Sequence, residues 1–567
     1  MNLLTAVPPG VVPFGLALVV PRLPRRTGTA LAVVASLATA GWLLLVPAGA
    51  HVPVVLFGFD AVLFHVDPYS RLLGATFGLV AAVAVAFTVA TDGDRRQVAL
   101  ALAYVGAGMG ATLAGDWLSL VVYWELMAVA ATVLVWHHTS DRRAGFRYAV
   151  YHEVGGLVLV AGVLLHYAEV GTFLFGDGVI GGLPALLVAL GIGLNAGFLG
   201  LHVWLVDTYP TTHVATSVVL AAVTTKVGAY AIVRAFPDGH VALTYVGAAM
   251  VLFGVTFAIL QTDVRRLLSY HIVSQVGYMV AGFGAGAGLA RSGAMVHLVN
   301  NILYKSLLFM VAGVLVHRTG REGLKKLGGL GRAMPLTAGV FLVAALSISG
   351  LPGFNGFVSK GMVLDGVEAT GPSLVWYALL VGGVGTVISF AKFGYYAFLH
   401  GDAGDGDAPA DLAPGELATL GGVAALCVLF GVVPSLLLDV FPAAVVADAK
   451  PFSPSQFQKA GAVTAAGLVG FAALRPLLGR TPPTPDLDSV YHPAGRALQT
   501  ASVGLAGAVE DATNRAGGVL QRGLSSLLAG ETDAPSPPTV DRASRTIGLG
   551  VLASALVLAL LLAVLVL

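Results

Sequence analysis

At 567 residues, with 57% of them hydrophobic, only 11% charged and a mean hydropathy of +0.85, the chain falls outside the soluble globular class, in which ~25% of residues are charged. A formal net charge of +1 argues against a nucleic-acid partner. The single cysteine, Cys427, excludes an internal disulfide framework and any cysteine-ligated cluster.

What remains is a polytopic membrane protein. About sixteen apolar windows of bilayer-spanning length follow one another. They centre near residues 13, 39, 81, 105, 127, 157, 194, 225, 251, 277, 305, 343, 386, 428, 467 and 557. The N-terminus has neither the basic region nor the small-residue cleavage site of a signal peptide, so the first window is expected to be a retained helix. Loops after odd windows carry the cations: Arg22, Arg25 and Arg26; Arg95 and Arg96; Arg142, Arg143 and Arg147; Arg265 and Arg266; and Arg318, Arg321, Lys325, Lys326 and Arg332. Loops after even windows hold scattered cations such as Arg71, Arg234, Arg291 and Lys360. The asymmetry predicts cytoplasmic odd loops in the cell membrane, with the N-terminus outside.

The fifth window, DWLSLVVYWELMAVAATVLVW, holds one interior charge, Glu125. The seventh and eighth are joined by VDTYPTTH, a polar break with a proline, and Lys226 lies inside the eighth. An ionisable group at that depth costs ~2.5–3.5 kcal/mol and marks an ion path by default. Interrupted hydrophobic segments are where transporters place their ion sites. In the eleventh window His297, Asn301 and Lys305 recur every four residues, a polar ladder on one helix face suited to proton relay. Lys392 is a further lysine within a window. SISGLPGFNGFVSK gives a second Gly/Pro-interrupted segment, which hints at an internal structural repeat. GAGAG at 284–288 precedes another window and reads as packing or turn glycine. No metal-ligand cluster, phosphate loop or dinucleotide fingerprint is visible in the sequence. No metal, no cofactor and no redox chemistry of the chain's own are expected.

After the linker GRTPPTPDLD, residues 488–529 alternate larger apolar residues with Gln499, Glu510, Asp511, Arg515 and Arg522. This suits an amphipathic helix along the membrane or along partner subunits, on the cytoplasmic side. A last apolar span ends the chain.

Six stretches together resemble a known family: FHVDPYSRLL (64–73), WELM (124–127), LHVWLVDTYP (201–210), TDVRRLLSYHIVSQVGYM (262–279), NNILYKSLLF (300–309) and SGLPGFNGFVSK (349–360). They resemble the antiporter-like proton-translocating subunits of Mrp-type cation/proton antiporters, respiratory complex I and membrane-bound hydrogenases. SYHIVSQVGY looks most like the D-type branch of the Mrp subunits. The resemblance implies an all-α fold of about fourteen core transmembrane helices with two inverted five-helix repeats. It implies a relay of Glu125, Lys226, Lys305 and Lys392, joined here by His297. Asn195, His202, Asn301 and Asp207 stand at supporting positions. Asn195 stands where the family has a lysine that pairs with the glutamate. Val206 and Tyr209 also depart from the motif, and Asn301 replaces a histidine.

The expected organisation is N-terminal helices (1–95), a translocating core with the repeats (96–400), C-terminal core helices (401–475), a linker with a lateral amphipathic helix (476–545) and a final span (546–567). The expected function is proton translocation, most simply as a subunit of a sodium/proton antiporter with other membrane subunits as partners. A secondary transporter subunit is expected rather than an enzyme. One alternative is the proton-pumping, and not the redox, subunit of a complex I-like oxidoreductase or hydrogenase complex. The other is a scaffold whose relay has decayed, which Asn195 and Asn301 suggest.

Overall fold

Aspartates open many of the helices. The computed structural model describes residues 3–139, 141–286, 288–401 and 409–478. The expected lateral helix (488–529) and final span (546–567) lie outside the described residues. α1 (Val11–Val19) and α2 (Arg25–Leu45) come first. Then β1 (Gly49–Leu56) and β2 (Phe59–Val66) pair antiparallel, and Leu56 faces Phe59 across a two-residue turn. Both turn residues, Phe57 and Gly58, have positive φ (54° and 91°), the geometry that matches a hairpin's twist. The all-helical reading omitted this hairpin.

Asp67 starts α3 (Pro68–Ala90) with a reciprocal cap. Its carboxylate accepts from the Ser70 amide, and Ser70 Oγ accepts from the Asp67 amide. Asp94 caps α4 (Arg95–Leu113), Asp116 caps α5 (Trp117–His137) and Asp141 caps α6 (Arg142–Val170). These carboxylates satisfy amides that helix starts leave bare, and their charge suits the positive helix end.

Three later spans are interrupted. α7 (Leu183–Ala196) stops at left-handed Gly197 (φ 74°), and the chain resumes as α8 (Val203–Thr211). α9 (Val214–Ala222) and α10 (Thr224–Ala235) meet at Val223. After α11 (Val241–Leu260), α12 (Val264–Gly284) and α13 (Gly288–Thr319), α14 (Pro335–Ser349) stops at left-handed Gly350 (φ 80°). The chain resumes as α15 (Asn355–Thr370). α16 (Ser373–Gly394), α17 (Pro414–Val432) and α18 (Pro454–Leu478) complete the described bundle. Thus α7–α8 and α14–α15 break alike, at a glycine that closes the first half-helix. The sequence shows the second of these breaks as a Gly/Pro-rich segment; the first is expected at VDTYPTTH, but Val203–Thr211 is helical and the break falls earlier, at Gly197. The break at Val223 lies in LAAVTTK, which reads as continuous helix.

Ten described helices, with α9–α10 taken as one, are long and apolar enough to cross a membrane. The chain is a multi-pass membrane protein. α9–α10 and α13 form its interior: the apolar window of the first is 100% buried and that of α13 94%, against 28% for α2 and 11% for α18. The outer helices present side chains such as Val34, Leu157 and Val469 to the surroundings. α11 and α12 meet backbone to backbone. A Cβ added at Gly247 or Gly254 would collide with α12, and one at Gly277 or Gly284 with α11.

Candidate functional site

The site grows out of the helix breaks. An interrupted helix leaves carbonyls and amides without intrahelical partners, and in a membrane interior each needs one. At Val223 the Thr224 amide donates to Tyr104 Oη at 2.9 Å. On the other side of the break, Lys226 Nζ donates to the Ala221 carbonyl at 2.7 Å and to Thr225 Oγ1 at 3.2 Å. At the end of α14, Lys360 Nζ donates to the Ile348 carbonyl at 2.6 Å. Between them, Lys305 Nζ donates across from α13 to the Leu268 carbonyl of α12 at 2.9 Å. Lys226 and Lys305 are fully buried and Lys360 is 6% exposed.

Lys305 lies within electrostatic range of both Lys226 and Lys360. Among the described residues, none of the three lysines has a carboxylate partner. Around the row stand His271 and Gln275 of α12 and His297, Asn301 and Tyr304 of α13. His297 Nδ1 is 3.1 Å from Ser359 Oγ of α15. Tyr304 Oη donates to Gln275 Oε1 at 3.3 Å, lies 3.4 Å from His297 Nε2, and accepts from Asn301 Nδ2 at 3.1 Å. Tyr304 therefore joins two rungs of the ladder read from the sequence, while the third, Lys305, turns toward α12. Both ring nitrogens of His271 lack a hydrogen-bond partner among the described residues, although the ring is fully buried and faces Lys305 and Lys360. Polar atoms so placed suit a path that carries water.

Lys360 belongs inside this row. The sequence reading counted it among scattered cations of the even loops. The Gly350 break turns Asn355–Thr370 into the second half of an interrupted span, with Lys360 pointing back to cap the first half. His271, Gln275 and Tyr304 were also not singled out, although all three lie in the quoted motif stretches.

The other sequence-derived residues stand on elements around the row, and among the described residues no hydrogen bond joins Glu125, Asn195, His202 or Lys392 to its three lysines. Glu125 is half-buried on α5. Its Oε1 rests over Gly156 of α6, where a Cβ would overlap it, and the nearest charge is Glu153 of the same helix. Among the described residues no cation pairs with Glu125. Asn195 is fully buried at the end of α7, and neither Nδ2 nor Oδ1 has a hydrogen-bond partner among the described residues. The neighbouring Leu194 carbonyl accepts from Trp204 Nε1 at 3.0 Å, so an indole caps the first broken span where a lysine caps the second. His202 begins α8 and packs on Phe253. Asp207 pairs with Arg147 and lies 3.8 Å from Arg266, at the arginine-rich end of the bundle. Lys392 Nζ donates to the Ile259 and Gln261 carbonyls at 2.7 and 2.5 Å, which caps the C-terminus of α11.

The chain carrying this arrangement has relatives among known proteins. The sequence pattern of the family described as NADH:quinone oxidoreductase/Mrp antiporter, TM matches residues 114–389, which span the row and Glu125. An NADH-quinone oxidoreductase subunit of Desulforudis audaxviator is 33% identical over 365 residues, 59% of this chain and 72% of that protein. The chain belongs to this family. It is thereby an antiporter-like membrane subunit of the Mrp and complex I type. A Na(+)/H(+) antiporter subunit of Alkalihalophilus pseudofirmus is 31% identical over 310 residues, 51% of this chain. The match spans 63% of that relative's length, less than two thirds. In fold, the chain is similar to a chain of the Mrp complex from Dietzia sp. DQ12-45-1b, with a TM-score of 0.70 over 82% of this chain and 100% of that one, at 22% identity.

Proposed function

We propose that the chain moves protons, within a multisubunit membrane complex, along the row Lys226–Lys305–Lys360. The observation that carries this reading is the burial of three lysines with no carboxylate partner among the described residues, each on a helix carbonyl, with His271, His297 and Tyr304 beside them. Neighbouring sites of like charge titrate as a coupled set, so a proton gained at one changes the cost of a proton at the next. Their solvation is supplied by oriented carbonyls and hydroxyls.

Exchange of protons for sodium or another cation is the first reading, supported by likeness to the Na(+)/H(+) antiporter relative. Pumping driven by redox partner subunits is the second, favoured by the higher identity and coverage of the NADH-quinone oxidoreductase relative. In both, other membrane subunits are the partners. The arginine-rich end, held by Arg147–Asp207–Arg266 and Arg265–Glu322, is the cytoplasmic end in this proposal. Glu125 and Lys392 act at the margins of the row.

Ion-gradient assays on sealed membranes, with protein levels matched, test the proposal. Lys226→Ala and Lys305→Ala each abolish or strongly reduce transport; wild-type rates in both variants refute it. Purifying the intact complex and identifying its subunits separates the two readings. Small antiporter subunits support the first, and flavin or iron–sulfur subunits the second.

A further inference from the structure

We infer that Asp94, His137 and His138 form a binding site for one divalent transition-metal ion of the Zn2+ class, at the arginine-rich end of the bundle and outside the lysine row. His137 Nε2 lies 2.9 Å from both Asp94 Oδ1 and Oδ2, and His138 Nε2 lies 3.6 Å from Oδ2. One ligand atom from each residue falls within 4.8 Å of the other two. Bonds of ~2.0–2.1 Å in a tetrahedron place ligand atoms about 3.3 Å apart, and the two distances to Oδ2 bracket that edge.

The convergence has a local cause. Consecutive side chains on a helix diverge by about 100°. His137 is the last residue of α5, and His138 leaves the helix with φ −141° and ψ 44°, which brings the two rings to a centroid distance of 4.3 Å. Both present Nε2 inward, the arrangement of two neutral imidazole ligands with Nδ1–H turned away.

Asp94 is held in place for the task. Its Oδ1 accepts from the Gln97 amide at 2.7 Å as the cap of α4, which leaves Oδ2 for the ion. The ion would also sit against the negative C-terminal end of α5. The side chains of Asp94 and His138 are 47% and 39% exposed, which leaves an entry from water. His213 stands nearby, but its Nδ1 accepts from the Ala215 amide and contacts Gln97 Nε2, so it lies outside the ligand set and water completes the coordination. Nothing in the sequence pattern announces this site, because Asp94 lies 43 residues before His137.

The test uses the full chain in detergent, stripped with chelator, with Co2+ as an optical probe and Zn2+ as competitor. The expected result is saturable binding of one Co2+ per chain, displaced by Zn2+. His137→Ala and His138→Ala each weaken binding by roughly tenfold or more, since even outer partners of metal sites carry ~10–100-fold in affinity. Asp94→Asn keeps the helix cap, because asparagine caps as well as aspartate, yet also weakens the ion. His400→Ala, at an exposed histidine elsewhere, binds as wild type. His138 lies past the helix end, so its variant keeps the test valid if His137→Ala does not fold. Absence of saturable binding, or equal binding by wild type and the double histidine variant, means that the three side chains form only an ion-pair cluster and overturns the inference.

Discussion

Lys360 Nζ reaches the carbonyl oxygen of Ile348 at 2.6 Å, so the charged residue of one half-helix closes the open end of the other. Removing the ammonium leaves that carbonyl without its buried donor, at ~1–3 kcal/mol. Lys360→Met is therefore expected to lose transport and also to lower the melting temperature in detergent. Lys360→Arg keeps a donor and recovers more of the stability than of the transport. Full transport by Lys360→Met would end the row at Lys305.

Gly156 leaves room for the Glu125 carboxylate on α6. Gly156→Ala is expected to displace that carboxylate and reduce transport at unchanged protein abundance. Because the two residues touch, their effects are coupled rather than additive. Combining Gly156→Ala with Glu125→Gln should cost no more than Glu125→Gln alone. Strict additivity in a double-mutant cycle would separate the glycine from the glutamate.

Asn195 offers donors and an acceptor but no switchable charge. Its two polar atoms stand without protein partners among the described residues, next to an α10 backbone that Gly228 brings close. Asn195→Lys adds a titrating group to the first broken span and is expected to shift the pH profile of transport. Asn195→Leu should lower the rate without moving the profile. The measurement compares both with wild type from about pH 6 to pH 9, the range in which perturbed lysines titrate. Three superimposable profiles would place Asn195 outside the path.

Asp411 holds the start of α14 from outside the membrane-spanning helices. It accepts from the Leu336 amide (2.7 Å), the Thr337 amide (3.1 Å), Thr337 Oγ1 (2.7 Å) and the Leu412 amide (2.8 Å). Burial works to raise its pKa, but these bonds outweigh it and hold the carboxyl below its ordinary value. A depressed folded pKa gives stability that is complete above the unfolded value of ~3.9 and is lost as pH falls through the folded one. Asp411→Ala should cost ~0.5–2 kcal/mol at neutral pH, by analogy with helix caps, and should flatten the acid side of the stability curve. Thermal unfolding in detergent across that range checks both.

Much of this architecture was legible because membrane helices announce themselves by length and apolarity. The break at Gly350 was legible because glycine and proline mark it, whereas the first break was expected at VDTYPTTH and falls earlier, at Gly197. Lys226, His297, Asn301 and Lys305 stood out as polar residues in apolar surroundings. Lys360 did not, because it follows a glycine-rich break and looked like loop. Arg234 and Arg291 likewise read as loop cations, yet Arg234 pairs with Asp67 at 2.5 Å and Arg291 donates to the Pro237 carbonyl. Lys392 was legible as a lysine within an apolar window, but linear position does not reveal that it caps the end of α11. The β-hairpin escaped because its eight-residue strands are short beside the apolar windows on either side.

The glycine seam between α11 and α12 has a mechanical consequence. With Gly247 and Gly254 set directly against Ala281 and Ser274, sliding one helix by a single residue, ~1.5 Å, would drive side chains into backbone. The pair is a stator. Against α13, Lys305 holds α12 through one hydrogen bond to the Leu268 carbonyl at 2.9 Å. Under the proposed function, strain raised by charging the row would act at the α12–α13 contact, and the fixed α11–α12 pair would give it something to push against.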